Sequence, residues 1–139
     1  MKLLALDHGR ARTGVAVTDP TGTLVRPLPA IVRVDSPSGM RALADVVDRE
    51  QPTRIIVGEP LLLSGARGAQ ARAAAGFADR VRGRFGVPVD LVDERLSTRE
   101  AARRLAEAGN RRGGPDLDSA AACVLLESVL GRARPGVRA

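Results

Sequence analysis

Asp7 ends an apolar stretch, Leu3 to Leu6, and is followed by the glycine-containing basic turn HGRARTG and a second apolar stretch. Four consecutive apolar residues imply a strand buried on both faces, and an aspartate closing such a strand sits where backbone pairing stops. Two further acidic pairs take similar places: Asp93 and Glu94 after the run VDLV, and Asp116 and Asp118 before the last apolar run. If these groups meet at one sheet edge, three or four carboxylates repel one another unless divalent cations neutralise them. Oxygen-only ligands favour Mg2+ or Mn2+. Two such ions roughly 4 Å apart activate a water and stabilise the leaving oxygen of a phosphodiester. That chemistry needs neither histidine nor cysteine, and the chain has one of each.

The elements that must position these carboxylates are legible in outline. Strand signals fall at Leu3 to Asp7, Thr13 to Thr18 and Ala30 to Val34, with a turn at Asp19, Pro20, Thr21 and Gly22, predicting an antiparallel meander. A helix begins near Ser38, its apolar residues Met40, Leu43, Val46 and Val47 recurring at helical spacing. Arg54 to Gly58 reads as a buried strand stopped by Pro60, Leu61 to Gly68 as a loop, and Ala69 to Phe85 as an alanine-rich helix. Val87 to Val92 predicts a strand, Ser97 to Ala108 a helix, GNRRGGPD a basic linker, and Leu117 to Leu130 a buried helix. The tail GRARPGVRA, residues 131–139, reads as disordered. The sum is one α/β domain over residues 1–139, a mixed five-stranded sheet flanked by helices.

Composition narrows the partners. A net charge of +6 and a pI near 11.2 point to polyanions, although a high-GC genome enriches arginine for unrelated reasons. Lys2 is the single lysine, and arginine offers planar bidentate donors that suit phosphate oxygens. Tryptophan and tyrosine are absent and both phenylalanines fall in one helical pattern, so recognition must run through phosphates, shape or metals rather than aromatic base stacking. Cys123 lies in AAACVLL and reads as a reduced core residue. The apolar stretch before Asp7 is too short for a signal peptide, and no stretch approaches the roughly 20 apolar residues of a membrane helix, which predicts a cytoplasmic protein with no membrane partner.

Each acidic residue also has an ordinary role open to it. Asp116 or Asp118 can cap the last helix, Glu94 can pair with Arg95, and Asp19 fits a turn before Pro20. His8 reads as a turn residue or as a group supporting the carboxylates, the former being simpler.

Taken together, Asp7, Gly9, Arg12 and Gly14 (D-x-G-x-x-R-x-G), VGEP at Val57 to Pro60, DERLST at Asp93 to Thr98, and Asp118 followed by Ala121 and Ala122 resemble the YqgF or RuvX family. Members are described as pre-16S rRNA nucleases or as Holliday junction resolvase-like proteins. The resemblance spans nearly the whole chain, and DERLST is its most specific piece. It implies an RNase H-like fold and a bacterial nuclease that uses divalent metal to trim precursor small-subunit rRNA. Carried over by position, it implies Asp7, Glu94 and Asp118 as catalytic, metal-binding carboxylates. Strand parity does not choose Glu94 over Asp93; the resemblance does. Glu59 departs from the family, which usually has an apolar residue before the proline, and it either adds a ligand or faces solvent.

On this reading Arg12, Arg95, Arg111 and Arg112 hold the nucleic-acid backbone and the substrate is precursor rRNA, within ribosomal precursor particles or free of them. One alternative is resolution of four-way DNA junctions, which requires a homodimer presenting two sites. Another is a non-catalytic RNA-binding ribosome-assembly factor. The opening D-x-G-x-x-x-x-G also resembles the first phosphate loop of actin-like and sugar-kinase ATPases, but those need two large domains, for which 139 residues leave no room.

Overall fold

The computed structural model describes residues 1–60, 62, 64–94 and 117–133. Among these residues, five strands and three helices follow in chain order: β1 (Leu3–Asp7), β2 (Arg12–Thr18), β3 (Val25–Val32), α1 (Pro37–Glu50), β4 (Arg54–Glu59), α2 (Ala69–Phe85), β5 (Val89–Asp93) and α3 (Leu117–Ala133). The predicted helix over 97–108 and the linker over 109–116 lie outside the described residues, as do 134–139 of the tail.

The strands form one mixed sheet in the order β3-β2-β1-β4-β5. The first three are the expected antiparallel meander, while β4 and β5 run parallel to β1. Asp7 therefore ends its strand at the same edge as Glu59 and Asp93 end theirs, because parallel strands share a carboxyl-terminal edge.

Side chains alternate across this sheet into two cores. Leu4, Leu6, Ile55, Val57 and Val89 pack with Leu43 of α1 and with Phe77 and Val81 of α2. Leu3, Ala5, Ala16 and Ile56 pack with Ala122, Leu125 and Leu126 of α3. β1 is buried on both faces from Leu3 to Leu6, as its unbroken apolar run predicts. Cys123 is in the second core, as predicted.

Local chemistry sets the ends of the elements. Ser36 caps α1 by accepting from the Gly39 N–H at 3.0 Å, with Pro37 opening the helix. In the 19–22 turn, the Asp19 Oδ1 accepts from the Thr23 and Leu24 amides at 2.8 and 2.9 Å. Gly86 closes α2 in the left-handed region, at φ 65°.

The boundaries of four elements differ from expectation. The third strand starts at Val25 rather than Ala30, because Pro27 and Pro29 hide a strand that is tolerated only at an edge, which is where β3 lies. β4 runs one residue further, to Glu59, before Pro60 stops it, and β5 is shifted to Val89–Asp93 after Pro88. α3 continues through Gly131 to Ala133, so residues 131–133 are helical rather than part of a disordered tail.

Candidate active site

Alternation decides which strand-end side chains meet. Asp7 shares parity with Leu3 and Ala5, Gly58 with Ile56, and Glu94 with Val92, all on the α3 face. The Glu94 carboxyl lies over the Gly58 backbone: a Cβ on Gly58 would fall 2.5 Å from Glu94 Oε1 and 2.8 Å from Leu125 Cδ1. Glu94 thereby reaches across β4 and forms a hydrogen bond with Asp7. Burial, that hydrogen bond, the Asp7 charge and the Asp93 charge push the Glu94 carboxyl up to about 8. Near neutral pH Glu94 thus keeps its proton.

Such a pair is chemically suited to a divalent cation. It offers hard oxygen donors, and Glu94 keeps its proton first because burial disfavours its charge and then because Asp7 and Asp93 stand beside it, all of which a divalent cation would offset.

α3 brings Asp118 to the same side of the sheet. Ser119, fully buried in the first turn, accepts from the Val15 N–H at 3.1 Å and donates to the Leu28 carbonyl at 2.6 Å. Val15 pairs with Leu6, so this anchor lies one residue from the register position of Asp7. The Asp118 side chain lies outside the described residues, as do Asp116, Arg95, Arg111 and Arg112. Arg12 stands exposed at the start of β2, two residues before Gly14, the partner of Asp7. A Cβ at Gly9 would collide with the Arg12 carbonyl oxygen, so this β1–β2 turn needs a glycine there.

Glu59 takes neither of the roles expected of it. It shares parity with Ile55 and Val57, on the face away from Gly58, and is buried opposite Asp93. Arg67 Nε stands 2.6 Å from its Oε2 but off the line of a hydrogen bond, so that oxygen is compensated in charge without being hydrogen-bonded. Glu94 meets Asp7, while the Arg95 of its surface-pair reading lies outside the described residues. His8 is more than a turn residue: its ring stacks on Phe77 at 4.6 Å and its Nε2 meets Asp35 Oδ2 at 2.8 Å.

Gly58 and Ser119 have roles that were not read from the sequence. For Gly58 a signal exists, because a glycine inside an apolar strand marks close approach of another group. Ser119 carries no comparable signal, since its partners are 104 and 91 residues away in the chain.

Comparisons with known proteins give the family and the fold. A protein of Anaeromyxobacter dehalogenans (strain 2CP-C) named "Putative pre-16S rRNA nuclease" is 40% identical over 139 residues, covering 97% of this chain and all of that protein. A protein of the same name from Escherichia coli O157:H7 is 43% identical over 128 residues, covering 91% of this chain and 93% of its own length. Among solved structures, Thermus thermophilus RuvC in complex with a Holliday junction substrate superposes with a TM-score of 0.58 at 19% identity, over 94% of this chain and 96% of that one. The fowlpox virus Holliday junction resolvase superposes at 0.56 and 13% identity, over 96% and 99%. These two likenesses establish the fold, the RNase H-like fold of the resolvases. The profile described as "RuvX: Holliday junction resolvase" matches residues 1–132, and with relatives of this identity along nearly the whole chain, the protein belongs to the RuvX family of nucleases.

Proposed function

We propose that this chain is a single-domain, divalent-metal-dependent endonuclease that hydrolyses phosphodiester bonds at the 5' end of precursor 16S rRNA during ribosome biogenesis in the bacterial cytoplasm. The observation that carries the reading is the Asp7–Glu94 acid pair over Gly58. Relatives named as pre-16S rRNA nucleases along nearly the whole chain supply the substrate. Among the described residues no helix is long and apolar enough to cross a membrane.

On this proposal Asp7, Glu94 and Asp118 hold Mg2+ or Mn2+, which supply a nucleophilic hydroxide and neutralise the leaving oxygen. The protein's own contribution is placement. Gly58 leaves the space through which Glu94 reaches Asp7, and the Ser119 anchor fixes the helix start that bears Asp118. In the absence of a cation, the proton on Glu94 keeps the two acids together. Arg12, Arg95, Arg111 and Arg112 hold phosphates of the substrate, contacts that position a strand without reading its sequence. Binding accordingly weakens steeply with salt.

The test is cleavage of precursor rRNA with Mg2+ or Mn2+ by the parent and by Asp7→Asn, both purified free of host nuclease. The parent should cut and the variant should not, while both fold and bind RNA. Equal cutting by the two removes Asp7 from the mechanism.

The profile description and the resolvase fold favour one second reading, resolution of four-way DNA junctions by a homodimer with two sites. Paired symmetric nicks on a junction, with precursor rRNA left intact, would select it.

A further inference from the structure

Asp7 is the last residue of β1 that the ladders hold. The parallel ladder to β4 ends at Leu6, and the antiparallel ladder to β2 ends with Asp7 opposite Gly14. Beyond it the chain enters the turn to β2, where the Gly9 N–H reaches Thr13 Oγ1 only at 3.4 Å, a long bond. A carboxylate at a loose strand end has no fixed direction, whereas Asp7 stays within hydrogen-bond reach of Glu94. A contact outside the ladders has to hold this end.

His8 supplies it. Successive strand residues point to opposite faces, so the His8 side chain leaves the acid pair behind and enters the side of the sheet where α2 packs. That side chain is only 7% exposed. Its ring stacks on the fully buried Phe77, with centroids 4.6 Å apart and planes 27° from parallel. Its Nε2 stands 2.8 Å from Asp35 Oδ2, and because an ionised carboxylate only accepts, the ring N–H donates. Asp35 is itself held, since it directly precedes Ser36, the cap of α1, and its other oxygen accepts from Arg80 of α2. Burial works against the Asp35 charge, but the hydrogen bonds from His8 and Arg80 and their charges outweigh it and keep this carboxyl below its ordinary value. His8 thus ties the end of β1 to the start of α1 and to the middle of α2. Phenylalanine could stack here and asparagine could bond, but the imidazole does both.

We propose that His8 is a positioning residue for Asp7: fixed by Phe77 and Asp35 on one face of the sheet, it holds the Asp7 carboxylate on the other face where it meets Glu94, an inference that rests on the nuclease reading. The two residues share one planar peptide unit, so turning that unit would swing both side chains, and a ring locked on one side stops the carboxylate on the other from turning. His8 touches no reacting atom in this role. It acts only through Asp7.

The experiment measures Mn2+ affinity by titration calorimetry on the full chain, at a temperature well below the melting point of every variant, with thermal melts alongside. His8→Ala should weaken Mn2+ binding by about 10–100-fold, the usual effect of removing a group that orients a metal ligand. His8→Phe keeps the stack and loses only the bond to Asp35, so its loss should be smaller. Asp35→Leu should match His8→Phe, and Asp35→Asn, which still offers an oxygen to the ring, should recover most of the parental affinity. In cleavage of precursor rRNA, His8→Ala should lower kcat on the order of a hundredfold with KM unchanged. RNA binding in EDTA, followed by fluorescence anisotropy, should stay parental.

A purely structural role would lower the melting points and leave the Mn2+ affinities alike, and that result overturns the proposal. A fall in RNA affinity as large as the fall in cleavage also overturns it, since His8 would then be a substrate contact. Should His8→Ala fail to fold, His8→Phe and Asp35→Leu decide by the same criteria. Mn2+ binding that Asp7→Asn abolishes and the His8 and Asp35 variants leave intact removes the positioning role and keeps the nuclease reading. Weakened Mn2+ binding in those variants of a parent that never cuts nucleic acid removes the nuclease reading and keeps the positioning role.

Discussion

Glu94 forms a hydrogen bond with Asp7 across β4, through the space that Gly58 leaves by having no side chain. Two acids on non-adjacent segments of chain, 87 positions apart in sequence, are coupled because the strand between them carries no Cβ at that level. The coupling has consequences for stability, for pH response and for catalysis.

The first concerns pH. The Glu94 carboxyl is raised from 4.5 to about 8 in the folded protein, so the folded state holds a proton that the unfolded chain has released. The stability this contributes is complete below about pH 4.5 and is lost as pH rises through about 8. Metal-free protein should therefore lose thermal stability across that window, and Glu94→Gln, which cannot ionise, should flatten the loss. Added Mg2+ or Mn2+ replaces the proton, so its stabilising effect should be larger at the alkaline end. Thermal melts with and without EDTA check all three expectations, and a parental profile as flat as that of Glu94→Gln would contradict them.

A second prediction concerns Gly58. In Gly58→Ala the new methyl would meet Glu94 Oε1, Glu94 Cγ and Leu125 Cδ1 at 2.5, 3.0 and 2.8 Å. All three belong to side chains, so the strand can stay in place while the carboxyl is pushed off Asp7. The expected cost is about 1–3 kcal/mol of stability, the usual range for overpacking. Cleavage should fall much further, by on the order of a hundredfold, because displacing a group at the reacting centre by about 1 Å has effects of that size. Urea titration and single-turnover cleavage separate the two effects.

Ser119 offers a third. Its hydroxyl serves the Val15 N–H and the Leu28 carbonyl together, both in a fully buried setting. Ser119→Ala leaves two buried backbone groups without this partner and should cost about 1–3 kcal/mol. It also frees the start of α3, so metal affinity measured calorimetrically should drop in a variant that still folds. Unchanged metal affinity would separate the anchor from the site.

The thiol gives a fourth. Burial, and then the Glu127 charge, push the Cys123 thiol up to about 11, leaving little thiolate near neutrality. A thiol reagent at pH 7.5 should react with the native protein only as fast as it opens, and at full speed in denaturant. Rapid native labelling would show that the sheet does not cover this residue of α3.

Much of the scaffold is local in origin and so can be read from the chain. The apolar run of β1, the Asp19–Gly22 turn, the α1 cap and the α2 pattern each depend on residues within a few positions of one another, and each appears close to where the sequence puts it. β3 was misplaced because its prolines are acceptable only at a sheet edge, and being an edge is a property of the assembled sheet.

The amino-acid sequence by itself determined the acidic strand ends, the basic turn after Asp7 and the motifs that mark the family, because these are matters of residue type and spacing. The tertiary structure supplied the physical reason that Glu94, which only the family resemblance had singled out over Asp93, faces Asp7, and it alone decided that Glu59 turns away toward Arg67 and that His8 is locked between Phe77 and Asp35. β4 is buried on both faces, and in β5 the residues from Leu91 to Asp93 are all partly buried, so neither strand has a polar alternation to reveal which way a side chain points. Their parity becomes visible only once a helix on one side and the glycine of β4 distinguish the two faces.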